Sequence, residues 1–311
     1  MQKSDFEGYN FYPTPDEIDA WAEKVYKDGM EMNCRAEFVR DTLTPPQCGQ
    51  RHNKACSYVK FTTDDGEFYG IWQQTLSNPA PLLVHVPGYG AEMSIHPQLV
   101  SEGYNILHIS PMGYVTPNGN DESKKDPVLK RWPVFMDSIE TDAKKGYAVW
   151  LAQCVAAIKW ANSLDCVITD RISFMGTSQG GGGALLLASV YKDHGVKCVS
   201  ADVPFLTNYP LSHSITQIGA YDMVCTSLER YDAQKAWHAM GYIDTYAHAH
   251  RLTCPTMLVA GGKDTTCPHE SIQSLYDVLP KIKSINYFDE QPHGYTMYFP
   301  YLVAGWMRMF G

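Results

Sequence analysis

A serine flanked by glycines constrains this chain more than any other feature. The stretch Gly176-Thr177-Ser178-Gln179-Gly180 continues into three further glycines, with the apolar runs RISFM before it and ALLLASV after it. A linker would not lie so close to strand-forming and helix-forming sequence. A phosphate-binding P-loop would need the lysine of the GxxxxGK[ST] pattern, which is absent. The remaining interpretation is a nucleophile elbow, a sharp turn from a strand into a helix.

The elbow predicts a role for three of its residues. Ser178 would take strained backbone angles that raise its hydroxyl above the sheet, as a nucleophile requires. Gly176 and Gly180 would be needed because a Cβ at either position would collide with the neighbouring strand and helix. A serine hydroxyl also needs a base, and the base needs an acid to orient it.

The acid and the base should follow the serine in that order, each after a later strand. Asp264 comes directly after the apolar run TMLVAGG, and His293 lies in the loop after SINYFD. We therefore predict Asp264 as the acid and His293 as the base. Three alternatives stay open: Asp202 as an acid one strand earlier, His269 as the base, and His85 as a core or supporting residue.

Acyl transfer also requires two amide donors for the oxyanion. One should be the backbone N–H of Gln179, directly after the nucleophile. The second should come from the loop PGYG that follows the strand PLLVHV. Tyr89 is the predicted donor there, through its main chain.

Strand and helix patterns alternate from residue 81 onward, which predicts a mainly parallel central sheet flanked by helices, the α/β-hydrolase fold. CSYVKFT and EFYGIWQQ predict an antiparallel N-terminal hairpin with Asp-Gly at its turn. Residues 14–30 open with a helix-start signal, Thr14 followed by Pro15. We expect an N-terminal helical or irregular extension (1–55) that packs on a catalytic domain (56–311), with a helical insertion at about 205–252.

Residues 111–144 form a long polar excursion, and aromatic residues there and in the insertion, such as Trp132 and Tyr209, are candidates for substrate contacts.

Composition excludes several classes of partner. The net charge of −9 and the pI of about 5.6 argue against binding to nucleic acid or to an anionic membrane. No apolar span of about 18 residues appears, and we expect a cytoplasmic protein, with a removed secretion signal left open. The nine cysteines are scattered and include no CxxC pair, which does not suggest a disulfide framework or a zinc site. We expect no metal and no organic cofactor.

Three stretches resemble a known family. GTSQGGGGAL, ADVPFLTNYP and YIDTYAHAHRLTCPTMLVAGGKDTTCPHES are similar to segments of the acetyl xylan esterases and cephalosporin C deacetylases of carbohydrate esterase family 7. The resemblance runs from about residue 55 to the C-terminus and is strongest over 172–295. It implies the α/β-hydrolase fold and the same assignment of nucleophile, acid, base and oxyanion amides: Ser178, Asp264, His293, Tyr89 and Gln179.

The resemblance also implies a function. A member of this family would remove short acyl groups, mainly acetyl, from a small-molecule ester such as an acetylated oligosaccharide, and would form a ring-shaped homo-hexamer. Two family signatures are missing: SPMGY replaces the RGQG motif, and Gly294 follows His293 where a glutamate is usual. A serine peptidase or a thioesterase on the same fold, and a non-catalytic binding protein, are the alternatives. A peptidase of this type typically carries a large extra domain.

Overall fold

A nine-stranded sheet forms the centre of the computed structural model, which describes residues 6–39, 56–89, 94–110, 113–125, 130, 132, 146–217, 221, 224, 228–229, 232–294 and 296–311. The nine strands of this sheet are β1 (Cys34–Val39), β2 (Cys56–Thr63), β3 (Gly66–Gln73), β4 (Ala80–Val86), β5 (Asn105–Ile109), β8 (Val167–Thr177), β9 (Val196–Asp202), β10 (Thr256–Gly261) and β11 (Lys283–Phe288). The strands β6 (Val115–Thr116) and β7 (Gly119–Asn120) form a separate two-stranded ribbon. The α-helices are α1 (Pro15–Glu31), α2 (Pro97–Ser101), α3 (Gly146–Asn162), α4 (Gln179–Val190), α5 (Tyr209–Ile215), α6 (Ala233–Gly241), α7 (His269–Val278) and α8 (Phe299–Phe310).

The strand order is β1-β2-β3-β5-β4-β8-β9-β10-β11. The six strands β5, β4, β8, β9, β10 and β11 run parallel to one another, while β1, β2 and β3 add antiparallel strands at one edge. The predicted parallel sheet and the predicted hairpin of β2 and β3 are both confirmed. The turn differs in detail, because Asp64 and Asp65 fill the loop and Gly66 begins β3 with a φ of +118°.

Helices cover both faces of the sheet, which is why its central strands read as continuous apolar runs. On one face α1, α3, α4 and α7 enclose the larger core, into which Val84, Val86 and Leu107 point. On the other face α2 and α8 pack over Leu83 and Ile106. Both faces of β4 and β5 are therefore buried, and their side chains alternate between the two cores.

The N-terminal helix α1 forms where its start signal predicted. The Thr14 side chain accepts the N–H of Glu17, whose carboxylate in turn accepts the Thr14 N–H at 2.8 Å, so the helix begins with a capping box. Its apolar face is buried through Ile18, Trp21, Ala22 and Val25. At Gly29 an added Cβ would come 2.5 Å from the carbonyl oxygen of Ala152, so α1 lies directly against α3.

A buried arginine fastens α1 to the rest of the molecule. Arg251 is 2% exposed, and its guanidinium donates to Asp19 at 2.8 Å and to Glu23 at 2.7 Å. Its Nε also donates to the carbonyl of Ser189 in α4, at 3.1 Å. The two acids stand one turn apart on α1, so one guanidinium joins this helix to α4.

The expected helical insertion and the polar excursion are described in part. Within 205–252 the described residues form α5, α6 and a 3-10 turn at Ala249–Arg251. Within 111–144 the structure describes 113–125, 130 and 132, which include the β6–β7 ribbon, and the rest of that excursion lies outside the described residues. Over the part of the chain that is described, no helix has the length and apolarity needed to cross a membrane. The proposed domain boundary at residue 55 stays a prediction.

We expect Arg251→Gln to lower the free energy of unfolding by about 2–3 kcal/mol, because the Ser189 carbonyl and two carboxylates lose a charged donor. Asp19→Asn should cost at most about 1 kcal/mol, since the Asp19 carboxylate is 42% exposed and solvent can replace its partner. Urea unfolding of the three proteins measures both. Equal losses in the two variants would contradict the joining role assigned to Arg251.

Candidate active site

Ser178 stands at a sharp turn between β8 and α4. Its backbone has φ +56° and ψ −122°, a conformation that a non-glycine residue adopts only where its surroundings impose it. Two backbone hydrogen bonds do so here: the Ser178 N–H donates to the Asp202 carbonyl at 2.9 Å, and the Ser178 carbonyl accepts the Phe205 N–H at 2.9 Å. The strand, the helix and the strained serine that the elbow predicts are all present.

The glycines around Ser178 are needed for the predicted reason. A Cβ on Gly176 would overlap the backbone of Gly180 and come 2.6 Å from the Val86 carbonyl oxygen. A Cβ on Gly180 would overlap the carbonyl oxygens of Val86 and Pro87. These neighbours are backbone atoms that cannot rotate away, so larger residues would push α4 off the sheet.

A continuous chain of hydrogen bonds leads from Ser178 to a buried carboxylate. The Ser178 Oγ lies 3.0 Å from His293 Nε2, and His293 Nδ1 lies 2.8 Å from Asp264 Oδ2. A carboxylate accepts hydrogen bonds, so the Nδ1 proton points to Asp264 and the Nε2 lone pair faces the serine hydroxyl. The three residues predicted as nucleophile, base and acid are thus brought together.

Asp264 is held by its own loop. Its side chain is fully buried, and its second oxygen, Oδ1, accepts the N–H of Thr266 at 2.8 Å and of Cys267 at 2.7 Å. An aspartate that bonds the amides two and three residues ahead fixes its own turn. Cys267 was not among the predicted site residues, although the order Asp-Thr-Thr-Cys after a strand is a usable signal for such a turn.

The two rival candidates make other contacts. Asp202 is fully buried and accepts both the N–H and the hydroxyl of Thr296, at 3.1 and 2.7 Å, so it holds the loop three residues beyond His293 rather than the imidazole itself. Burial raises the pKa of Asp202 to about 6. His269 begins α7, where its ring lies beside Glu270 and Tyr287.

The predicted oxyanion donors lie on either side of the serine. Gln179 is the first residue of α4, and amides in the first turn of a helix have no acceptor within the helix. On the other side, a Cβ on Gly88 would come 3.4 Å from the Ser178 Cβ, so the loop that contains Tyr89 passes directly over the elbow. The arrangement suits an anion that forms above Ser178.

Three aromatic rings stand next to this loop. The Tyr89 ring centroid lies 6.2 Å from that of Trp132 and 6.3 Å from that of Tyr114, while Tyr114 and Trp132 stack at 5.6 Å. The ammonium of Lys125 lies 4.2 Å above the Trp132 ring. Tyr89 is 40% exposed, whereas Tyr209, the aromatic candidate from the insertion, is fully buried. Tyr114 is fully buried as well, so of these rings Tyr89 and the half-buried Trp132 are open to a substrate.

The loop after the base explains one departure from the expected motifs. Gly294 has a φ of +140°, a conformation that side-chain-bearing residues rarely adopt. A glutamate at this position, as the resemblance led us to expect, would be strained. The backbone around His293 therefore follows a course that requires glycine.

A parallel sheet with a serine on a strand-to-helix elbow defines an α/β-hydrolase. The acetyl xylan esterase (AXE1) family model matches residues 16–308, so this chain belongs to the acetyl xylan esterase family, whose members are carboxylic ester hydrolases. The family predicted from the sequence is thereby confirmed. No curated protein matches the chain significantly.

Solved structures share the fold. Acetyl xylan esterase 1 from Thermoanaerobacterium sp. JW/SL YS485 superposes with a TM-score of 0.79 at 18% identity, covering 95% of this chain and 94% of that one. An acetyl xylan esterase from Paenibacillus sp. R4 gives 0.76 at 20% identity and covers 100% of both chains. The acylaminoacyl peptidase of Pyrococcus horikoshii gives 0.59 at 17% identity, with 82% of this chain but 40% of the peptidase covered.

Gly180→Ala should abolish hydrolysis and destabilise the fold by more than about 3 kcal/mol, because its methyl group would overlap two carbonyl oxygens. The matched control is Gly305→Ala in α8, where a Cβ meets nothing within 4 Å. That change should stabilise the protein by about 0.5–1 kcal/mol, since alanine favours the helix. Thermal unfolding and ester hydrolysis test both variants. Full activity in Gly180→Ala would refute the close contact.

Asp202 should make stability depend on pH. Its pKa is about 6 in the folded protein and near 4 in an unfolded chain, so the folded state retains a proton that the unfolded state releases between these values. Stability is therefore lost as the pH rises through this window. The unfolding free energy of wild type minus that of Asp202→Asn should fall by roughly 1–3 kcal/mol between pH 4 and pH 7. Urea unfolding at each pH measures it, and a difference that stays constant with pH would contradict the assignment.

Proposed function

We propose that the protein is a serine esterase that removes acetyl groups from carbohydrate esters through Ser178, His293 and Asp264. The observation that carries the proposal is the unbroken hydrogen-bonded chain from the Ser178 hydroxyl through His293 to Asp264, set on a strained elbow. This arrangement matches the geometric requirements for a serine nucleophile, a general base and an orienting acid.

In the acylation step the Ser178 Oγ attacks the carbonyl carbon of the ester while its proton passes to His293 Nε2. The imidazolium that forms is stabilised by Asp264, which keeps the Nδ1 proton without taking it. The negative charge that develops on the carbonyl oxygen is accepted by the amides of Tyr89 and Gln179. Collapse of this intermediate transfers the proton from Nε2 to the departing alcohol oxygen and leaves an acyl-serine.

Deacylation reverses these roles with water as the nucleophile. His293 Nε2 removes a proton from water as its oxygen attacks the acyl-serine, and then returns the proton to the Ser178 Oγ. The acid is released and the serine hydroxyl is restored. The ester and one water molecule supply every atom and proton that the two steps exchange with these residues.

The family description favours an acetyl group on a sugar as the substrate. The Tyr89 ring, 40% exposed beside the elbow, supports this, because a ring face can pack on the apolar face of a sugar. A peptidase function is less well supported, since the family model that matches residues 16–308 is that of the acetyl xylan esterases. The hexameric ring and the cytoplasmic location stay predictions.

Ser178→Ala should lower kcat/KM for p-nitrophenyl acetate by roughly 10⁴–10⁶-fold, because the acyl-enzyme cannot form. Asp264→Asn should lower it by roughly 10²–10⁴-fold, through loss of the correct imidazole tautomer. The control Ser163→Ala removes an exposed hydroxyl at the end of α3 and should leave the rate unchanged. Wild type should also prefer acetate over butyrate and octanoate, and should release acetate from acetylated xylo-oligosaccharides.

Each result separates one part of the proposal. Hydrolysis by Ser178→Ala at the wild-type rate would overturn the assignment of the nucleophile. Rapid cleavage of p-nitrophenyl acetate without acetate release from the sugar would keep the esterase and overturn the carbohydrate substrate. Cleavage of an acyl-peptide in preference to all these esters would favour the peptidase alternative.

A further inference from the structure

Three histidines converge beneath the loop that contains Tyr89. His85 on β4 and His108 on β5 are opposite each other in the parallel register, with their Nδ1 atoms 2.8 Å apart. His96, which directly precedes α2, places its Nε2 3.0 Å from the same His85 nitrogen. One nitrogen from each ring therefore lies within 4.8 Å of the other two. None of the three belongs to the proposed triad.

Hydrogen bonding alone satisfies this cluster poorly. An imidazole nitrogen carries either one N–H or one lone pair in the ring plane, so it can form one well-directed hydrogen bond. His85 Nδ1 faces two ring nitrogens at hydrogen-bonding distance. A buried nitrogen with two neighbours and one proton or lone pair leaves one of those neighbours unsatisfied, which costs free energy unless something else binds there.

The cluster is shielded from solvent. His85 and His108 are 2% and 0% exposed. Burial favours the uncharged imidazole, which is the form that coordinates metals.

We propose that His85, His96 and His108 bind one divalent transition-metal ion of the zinc type. Imidazole nitrogens suit such ions, whereas magnesium and calcium prefer oxygen ligands. Zn–N bonds of about 2.0–2.1 Å in tetrahedral geometry separate ligand nitrogens by about 3.3 Å. The two pairs at 2.8 and 3.0 Å would therefore move apart by a few tenths of an ångström, while the third pair, His96 with His108, lies within 4.8 Å. The Ser94 hydroxyl, 3.4 Å from His96 Nε2, is placed to bind or to hydrogen-bond a fourth ligand.

The ion would hold in place the loop that contains Tyr89, the predicted second amide donor to the oxyanion. His85 lies four residues before Tyr89 and His96 lies seven residues after it, so one metal would hold both ends of this segment against β5. The Gln73 side chain already accepts the His96 N–H at 2.7 Å on the same side of the segment. The role is structural, because the ion would position the Tyr89 amide without taking part in proton transfer. It does not depend on the proposed substrate.

This site was not predicted, because its ligands are separated by eleven and twelve residues and come from β4, from the residue before α2 and from β5. The expectation of no metal relied on short spacings such as CxxC, which bring ligands together within one loop. Here the pairing of β4 with β5 does so instead.

The test is the zinc content of protein that has been dialysed against micromolar zinc and then desalted, measured by mass spectrometry of the metal. Wild type should retain about one zinc per chain, and so should the control His269→Gln, which changes a histidine at the start of α7. His108→Gln should retain less than about a tenth of this amount, since it loses one of three ligands. Removing the ion with a chelator should lower the melting temperature of wild type by about 5 °C, and added zinc should restore it.

A second variant distinguishes this site from the triad, where Asp264, Cys267 and His293 could also gather around a metal. Zinc that is lost in His293→Gln but kept in His108→Gln would place the ion at the triad and overturn the proposal. Folded wild type that takes up no zinc would overturn it as well. Zinc uptake by wild type and zinc retention by His293→Gln do not depend on the folding of His108→Gln, and loss of zinc from folded His293→Gln would by itself overturn the proposal.

Discussion

The strained backbone of Ser178 is the constraint on which the rest of the structure depends. A positive φ at a non-glycine residue is maintained only if the chain on both sides is fixed. Here β8 is paired with β4 and β9, the Ser178 amide is bonded to the last residue of β9 and its carbonyl to Phe205 just beyond, and α4 lies so close to the sheet that only glycine fits at Gly176 and Gly180. The placement of this one half-buried hydroxyl therefore requires a close-packed core of several elements around it.

Two buried aspartates support the His293 loop in different ways. Asp264 meets the imidazole directly, with its other oxygen held by backbone amides. Asp202 bonds Thr296 further along the loop, and burial raises its pKa to about 6. One acid thus fixes the orientation of the ring and the other fixes the chain that carries it. Both stand at the ends of adjacent parallel strands, β9 and β10, which explains why either could be taken for the orienting acid on sequence grounds.

Much of this arrangement was predictable because it is encoded locally. The elbow follows from glycines at fixed spacing, and the order of Ser178, Asp264 and His293 along the chain follows from the order of the strands. The features that were missed arise from tertiary pairing. The contact of His85 with His108 depends on the register of β4 and β5, and the bond from Asp202 to Thr296 joins residues 94 positions apart. Strand register and loop course are set by packing, and no short window of sequence records them.

The guanidinium of Arg251 also bears on how the molecule is assembled during synthesis. Helix α1 is made before the helices on which it packs, yet Arg251, the partner of its Asp19, is synthesised 232 residues later. Until then the two acids of α1 have no charged partner at this position, and the Ser189 carbonyl of α4 lacks the same donor. The docking of α1 is thus completed only after β9 and α6 have been made, and a contact this distant in sequence lengthens the search for the native state.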